Sequence, residues 1–101
     1  LSLEGYCVIT ANSGMAASVL LAEQAFDVVI TDLRMPVVDG FEIVRRTREK
    51  YPSAGIIVTS RYIDEQTQKW IDEMGVIGIQ KPYNIHQIGT ILRDYQLMHQ
   101  A

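Results

Sequence analysis

Three side chains with complementary chemistry each follow directly on a short apolar run. Asp32 follows Val28-Val29-Ile30-Thr31, Ser60 follows Ile56-Ile57-Val58-Thr59, and Lys81 follows Val76-Ile77-Gly78-Ile79-Gln80. A carboxylate can act as a nucleophile and form an acyl phosphate. Phosphoryl transfer then requires the negative oxygens to be held and their charge offset. A lysine ammonium supplies a point charge for one oxygen, and a serine hydroxyl can donate to another. Mg²⁺, held by carboxylates and a carbonyl, commonly takes a third. Taken singly, each residue has a plainer role. An Asp or Ser at a strand end often only forms a turn, and a Lys is usually a solvated charge. Their recurrence at equivalent positions is what points to a site.

Those runs must belong to a sheet that brings their ends together. Tyr6-Cys7-Val8-Ile9-Thr10 is a further run of the same kind. Within Phe26 to Thr31, the run Val28-Val29-Ile30 is continuously apolar rather than alternating, as expected of a parallel strand covered on both faces. Between the runs lie helical stretches. Met15 to Gln24 is rich in Ala and Leu behind Asn12-Ser13-Gly14, which supplies capping chemistry. Pro36 and Asp39-Gly40 mark a loop. Phe41 to Lys50 places Phe41, Val44 and Thr47 on one side and Arg45, Arg46 and Arg48 on a solvated one. Asp64 caps a stretch with Thr67, Trp70, Ile71 and Met74 on one stripe, Trp70 and Met74 being core or half-buried, and Gly75 sits where a C-terminal cap belongs. Asn84 caps the last, which carries Ile85, Ile88, Ile91, Leu92, Tyr95 and Met98 at helical spacing. His86 and His99 fall there at a spacing that does not pair them. Strands alternating with helices in this way predict an α/β fold, a doubly wound parallel sheet with helices on both faces. Such sheets place their chemistry just past the carboxyl ends of the strands.

Composition narrows the function classes. The 101 residues fit one domain spanning the whole chain, and 48% apolar with 21% charged residues excludes disorder. A net charge of −3 speaks against direct nucleic-acid binding. No apolar run approaches the ~18 residues of a membrane span, and no basic-then-apolar leader is visible. A single cysteine suggests a reducing cytosol, with Cys7 read as a buried structural thiol. The chain opens at Leu1, so it reads as part of something longer.

The stretch Asp27-Val28-Val29-Ile30-Thr31-Asp32-Leu33-Arg34-Met35-Pro36-Val37-Val38-Asp39-Gly40 closely resembles the phosphoacceptor segment of receiver domains in bacterial two-component response regulators. Ser60-Arg61-Tyr62 and Lys81-Pro82-Tyr83 follow in the family's order, and the resemblance covers essentially the whole chain. It implies a flavodoxin-like receiver fold and a phosphorylation-controlled signalling switch. No enzymatic role beyond phosphoryl uptake and loss at the chain's own carboxylate is implied. Asp32 would accept the phosphoryl group from a histidine kinase or phosphotransfer protein. Asp32 and the backbone carbonyl of Arg34 would hold Mg²⁺ in the complete domain, the family's further acidic ligands being absent from this chain. Ser60 and Lys81 would contact the phosphate, and the Lys81–Pro82 bond would be cis. Arg61 and Tyr62, beside the hydroxyl, would modulate access. Partners would be an output domain or a second copy, met through the last two helices, in the cytoplasm. Two other readings stay open. One is a docking module of the same fold that takes no phosphate. The other is a flavodoxin-like domain binding a nucleotide or flavin, with Asn12-Ser13-Gly14 as its phosphate loop.

The departures from the family pattern are also informative. Leu1-Ser2-Leu3-Glu4-Gly5 reads as the tail of the family's first helix, so the first strand is absent. In the family's order 2-1-3-4-5, that strand lies between the runs at Tyr6–Thr10 and Val28–Thr31. Its absence leaves a slot of roughly 9.5 Å, two strand spacings, walled by unpaired backbone. A preceding segment fills it, another chain fills it, or the flanking strands pair directly. Gly78 takes the place of the family's switch aromatic. Tyr62 is expected to pack against the molecule, and the Arg61 guanidinium to reach solvent.

Overall fold

A computed structural model describes residues 2–3, 6–11, 26–33 and 40–99, with side chains of 6–10, 26–33 and 40–94. The described elements are β1 (Ser2–Leu3), β2 (Tyr6–Ala11), β3 (Val28–Asp32), α1 (Gly40–Lys50), β4 (Gly55–Ser60), α2 (Glu65–Met74), β5 (Ile77–Gln80) and α3 (Ile85–His99). The helix expected over Met15–Gln24 and the Asn12-Ser13-Gly14 segment lie outside the described residues.

The strands form one sheet in the order β1-β2-β3-β4-β5. β2 to β5 run parallel, and the short β1 pairs antiparallel with β2. Two expectations are settled here. Ser2 and Leu3 are strand, not helix tail, with Leu3 opposite Tyr6. β2 and β3 are direct neighbours, Val8 opposite Val28 and Ala11 opposite Thr31, so the slot is closed by re-pairing. An open slot would have left two rows of buried donors and acceptors unpaired, and direct pairing satisfies both.

The continuous apolar runs serve both faces of the sheet. Val29, Ile56 and Val58 pack on one side with Ile43 and Val44 of α1 and Ile71 of α2. Val8, Val28, Ile30, Ile57 and Ile79 pack on the other with Ile88 and Leu92 of α3. The described helices therefore cover both faces, the doubly wound arrangement. Cys7 departs from its expected burial. It is exposed, because at the start of β2 only Val8 reaches the packed layer deeply.

Helix boundaries follow the capping chemistry. The Asp64 side chain accepts from the Thr67 amide at 2.7 Å, and Gly75 closes α2 in the left-handed region at φ 67°. At α3 the Asn84 side-chain oxygen accepts from the Gln87 amide at 3.0 Å, while the Gln87 side chain accepts from the Asn84 amide at 2.9 Å. On α1, Arg45 and Arg46 are exposed and pair with Glu42. Hydrogen bonding from Arg45 is the main cause that holds the Glu42 carboxyl below its usual range. Arg48 is a correction to the solvated-face reading. It lies four residues beyond the buried Val44 on the same stripe, is half-buried, and bonds the end of α2. Trp70 and Met74 are half-buried, with Trp70 edge-on to Phe41 at 4.6 Å between ring centroids. Ile85 departs from its stripe and stays 51% exposed.

Gly40 marks where the sheet and α1 touch. A Cβ there would collide with the Asp32 carbonyl oxygen and lie 2.6 Å from the Leu33 Cα, both rigid backbone. Gly40→Ala should therefore lower stability by about 1–3 kcal/mol, the range for overpacking. Urea unfolding is expected to show a lower midpoint at unchanged slope.

Candidate functional site

The three strand-end residues arrive together because their strands share a parallel register. Asp32 is the last residue of β3, opposite Thr59, and Ser60 ends β4 opposite Gln80. Lys81 follows β5 at once. Two main-chain bonds carry the ladders past the strand ends: Leu33 N–H to the Thr59 carbonyl at 2.9 Å, and Lys81 N–H to the Ser60 carbonyl at 2.7 Å. Side chains placed this way are positioned by the sheet itself rather than by loops.

Asp32 and Lys81 form a direct ion pair, Nζ to Oδ2. Both side chains keep contact with solvent, 26% exposed for Asp32 and 35% for Lys81. The carboxylate therefore sits on a concave surface that a small reactant can enter. Asp32, Ser60 and Lys81 line one cleft of about 450 Å³ with Arg61, Tyr62 and Asp64. Ser60 is 5% exposed, and its hydroxyl donates to the Tyr62 carbonyl at 3.1 Å. The Lys81–Pro82 peptide bond is cis.

The neighbouring residues divide. Arg61 is exposed on the rim and makes no hydrogen bond or ion pair among the described residues. It also lines an adjoining depression with Lys81, Pro82 and Tyr83. Tyr62 corrects the expectation of packing, since its ring is 73% exposed. Ser60 engages the Tyr62 main chain, and the bend this makes leaves the ring outside. Arg34 lies outside the described residues. At Gly78 a side chain would collide with Ile71, Cδ1 being 2.7 Å from a Cβ built there. The space next to that strand position belongs to an aliphatic side chain of α2 instead of a ring.

Asp64 is the site residue that sequence reading assigned only as a cap. Four residues after Ser60, it stays beside the strand end from which the chain has just emerged, and this short separation was the available signal. Asp32 and Asp64 are thus the cleft's two carboxylates among the described residues, and both are already engaged. The first is paired with Lys81, and the second caps α2. No group of three or more His, Cys, Asp or Glu residues suited to a metal occurs among the described residues. The described side chains alone therefore do not fit a Mg²⁺ centre, which needs several oxygens in octahedral array.

Comparison with known proteins gives the chain its relatives. The family model described as response regulator receiver domain matches residues 1–93. The sensor histidine kinase RcsC of Escherichia coli is 30% identical over 92 residues, 90% of this chain and 10% of that protein. The virulence sensor protein BvgS of Bordetella pertussis is 51% identical over 51 residues, 50% of this chain and 4% of that protein. The chain thus spans a tenth or less of these relatives' lengths. Among solved structures, the signal receiver domain of an HD domain-containing protein from Pseudomonas fluorescens Pf-5 superposes with a TM-score of 0.72 at 29% identity. The match covers 89% of this chain and 73% of that one.

The exposure of the Asp32–Lys81 pair sets its energetic weight. Solvent screening limits such pairs to about 0–1 kcal/mol. A double-mutant cycle on Asp32→Asn and Lys81→Met, followed by chemical denaturation, should return a coupling no larger than this.

Proposed function

Because the chain belongs to the response regulator receiver domain family, we infer that it is a phosphorylation-controlled switch in which Asp32 is the phosphoacceptor. Such domains are signalling modules of two-component systems rather than classical enzymes. The observation that carries the assignment is that Asp32, Ser60 and Lys81, from the ends of three adjacent strands, line one solvent-open cleft. Transfer forms a bond from an Asp32 Oδ to phosphorus as the bond from phosphorus to the donor group breaks. With a phosphohistidine donor the imidazole leaves and takes up a proton. Lys81 then exchanges its carboxylate partner for a phosphoryl oxygen, and the Ser60 hydroxyl exchanges the Tyr62 carbonyl for another. Donor and recipient are a histidine kinase or phosphotransfer protein on one side and an output domain or second copy on the other, met through α2, β5 and α3. Mg²⁺ belongs to this reading as the family's usual ion at the phosphorylation site. Asp32 and the backbone carbonyl of Arg34 would supply two of its ligands in the complete domain, where it would offset charge on the phosphoryl oxygens.

No helix among the described residues is long and apolar enough to cross a membrane. A cytoplasmic setting is part of the proposal, since that is where kinase and phosphodonor would meet the cleft.

Incubating the protein with Mg²⁺ and a small acyl phosphate tests the assignment. An acid-labile, hydroxylamine-sensitive label is expected in the wild type and not in Asp32→Asn. A label that survives the substitution removes Asp32 from the role. A folded wild type that takes no label supports the docking-module reading instead.

Arg61 gives a second prediction. A long cation on the cleft rim shields the phosphoryl group from water. Arg61→Ala is expected to speed loss of label from Asp32 a few-fold in a pulse-chase, and equal or slower loss would refute the shielding.

A further inference from the structure

α2 has a glycine cap but an unfavourable charge at its C-terminal end. Its last turn carries Asp72, Glu73 and Met74 and no basic residue. Acidic side chains at the negative end of a helix oppose its dipole, and the Gly75 and Val76 amides reach the Asp72 and Ile71 carbonyls but not that of Met74. The missing cation comes from another helix. Arg48, in the last turn of α1, donates from Nη2 to the Met74 carbonyl at 2.7 Å and the Gly75 carbonyl at 3.2 Å. Its Nε is buried without a hydrogen-bond partner. The guanidinium is thus held by shape and by these two carbonyls.

The other end of α2 reaches the phosphoacceptor cleft, which Asp64, its N-cap, helps to line. Between the ends, Ile71 anchors α2 in the apolar layer with Val29, Ile43, Val44, Ile56 and Val58. Ile71 lies over Gly78, where there is no side chain to interlock, and Trp70 meets Phe41 edge-on. The directional fastening at the far end is the Arg48 fork. α1, which supplies it, begins at Gly40 against the backbone of Asp32 and Leu33. Both helices therefore start at the cleft and are tied together away from it.

We propose that Arg48 is a latch that fixes the resting position of α2, so that movement of this helix on phosphorylation breaks the two bonds to Met74 and Gly75. The proposal rests on the switch reading of Asp32 for its signalling role, while the latch itself is testable without phosphate. It also assigns the coupling in this chain to a polar tie between helices, since Gly78 offers no ring to turn.

Hydrogen exchange on the intact protein, followed by mass spectrometry without any phosphodonor, is the test. The reporters are the amides of Gly75 and Val76, which bond the Asp72 and Ile71 carbonyls. Arg48→Gln should raise exchange in peptides covering this segment by about tenfold or more, the scale of one hydrogen bond to a charged donor. Peptides from β3 and β4 should be unchanged. Equal exchange in wild type and variant overturns the latch, and so does a rise of the same size across the sheet, which marks general loosening. If Arg48→Gln does not fold, Arg48→Met, which keeps the aliphatic stem without any donor, carries the same comparison. Labelling wild-type Asp32 with a small acyl phosphate should raise exchange at Gly75 and Val76 in the same way. A labelled protein without that rise overturns the latch as a switch element. A chain that takes no label refutes the reading of Asp32 and leaves the exchange comparison to decide the latch.

Discussion

The site depends on strand register. β3, β4 and β5 are parallel, and their pairing puts Asp32 beside Thr59 and Ser60 beside Gln80. A slip of one residue would turn every side chain of a strand to the opposite face. The core resists such a slip, because Val28 and Ile30 fill one apolar layer while Val29 fills the other. The residues that fix the register are thus the apolar ones, and the polar residues at the strand ends are carried into place by them. Burying the runs on both faces provides the driving force, roughly 25 cal/mol per Å² of apolar surface. The chemistry is a by-product of a sheet stable for other reasons.

Much of this was legible in the chain itself. Continuous β-branched runs can be buried only as covered parallel strands or interior helices, and their short length and flanking Gly, Pro and Asp residues select strands. Asp64, Gly75 and Asn84 announced helix ends through side-chain and backbone chemistry that acts within a few residues, so local reading sufficed. Asp32, Ser60 and Lys81 were recognisable because a parallel sheet has one functional edge. What escaped were features decided by distant partners. Nothing near Leu1–Gly5 tells that Ser2 and Leu3 will find Tyr6 and Cys7 as antiparallel partners. Arg48 shares a helix with two solvated arginines, and only the packing of α1 against α2 separates it from them. Tyr62 and Ile85 looked like packing residues by type, yet Tyr62 lies in the connection after β4, Ile85 opens α3, and both are exposed.

The closure between β2 and β3 shows which constraint dominates when two conflict. The order 2-1-3-4-5 and full backbone pairing cannot both hold here without a strand between Tyr6–Ala11 and Val28–Asp32. Strands 2, 3, 4 and 5 of that order are joined here directly as the parallel set β2-β3-β4-β5. Backbone groups tolerate a change of neighbour because every strand offers the same donors and acceptors at the same spacing. Side-chain layers tolerate it because Val8 meets Val28 as readily as it would meet another β-branched residue. The strand ends that carry Asp32, Ser60 and Lys81 stay together, since β3, β4 and β5 keep their mutual pairing.

The cleft's charges suggest why α2 is the element that responds in the proposed switch. Asp32 and Asp64 are offset by Lys81 and Arg61, so the lining is close to neutral. A phosphoryl group on Asp32 carries about −1.5 to −2 in place of a single carboxylate charge. Lys81 and Ser60 take up part of the excess at the ends of strands held by ladders on both sides or by a following helix, and they can move little. Asp64 is different. It is a carboxylate in the same cleft as the growing negative charge, and it caps the first turn of a helix anchored by the buried Ile71, an edge-on ring and one guanidinium. Repulsion at Asp64 acts along the helix toward Arg48. Its weight grows as the cleft is closed to solvent, because screening falls with it. The added charge acts most directly on the helix that Asp64 caps, which places the proposed response on α2.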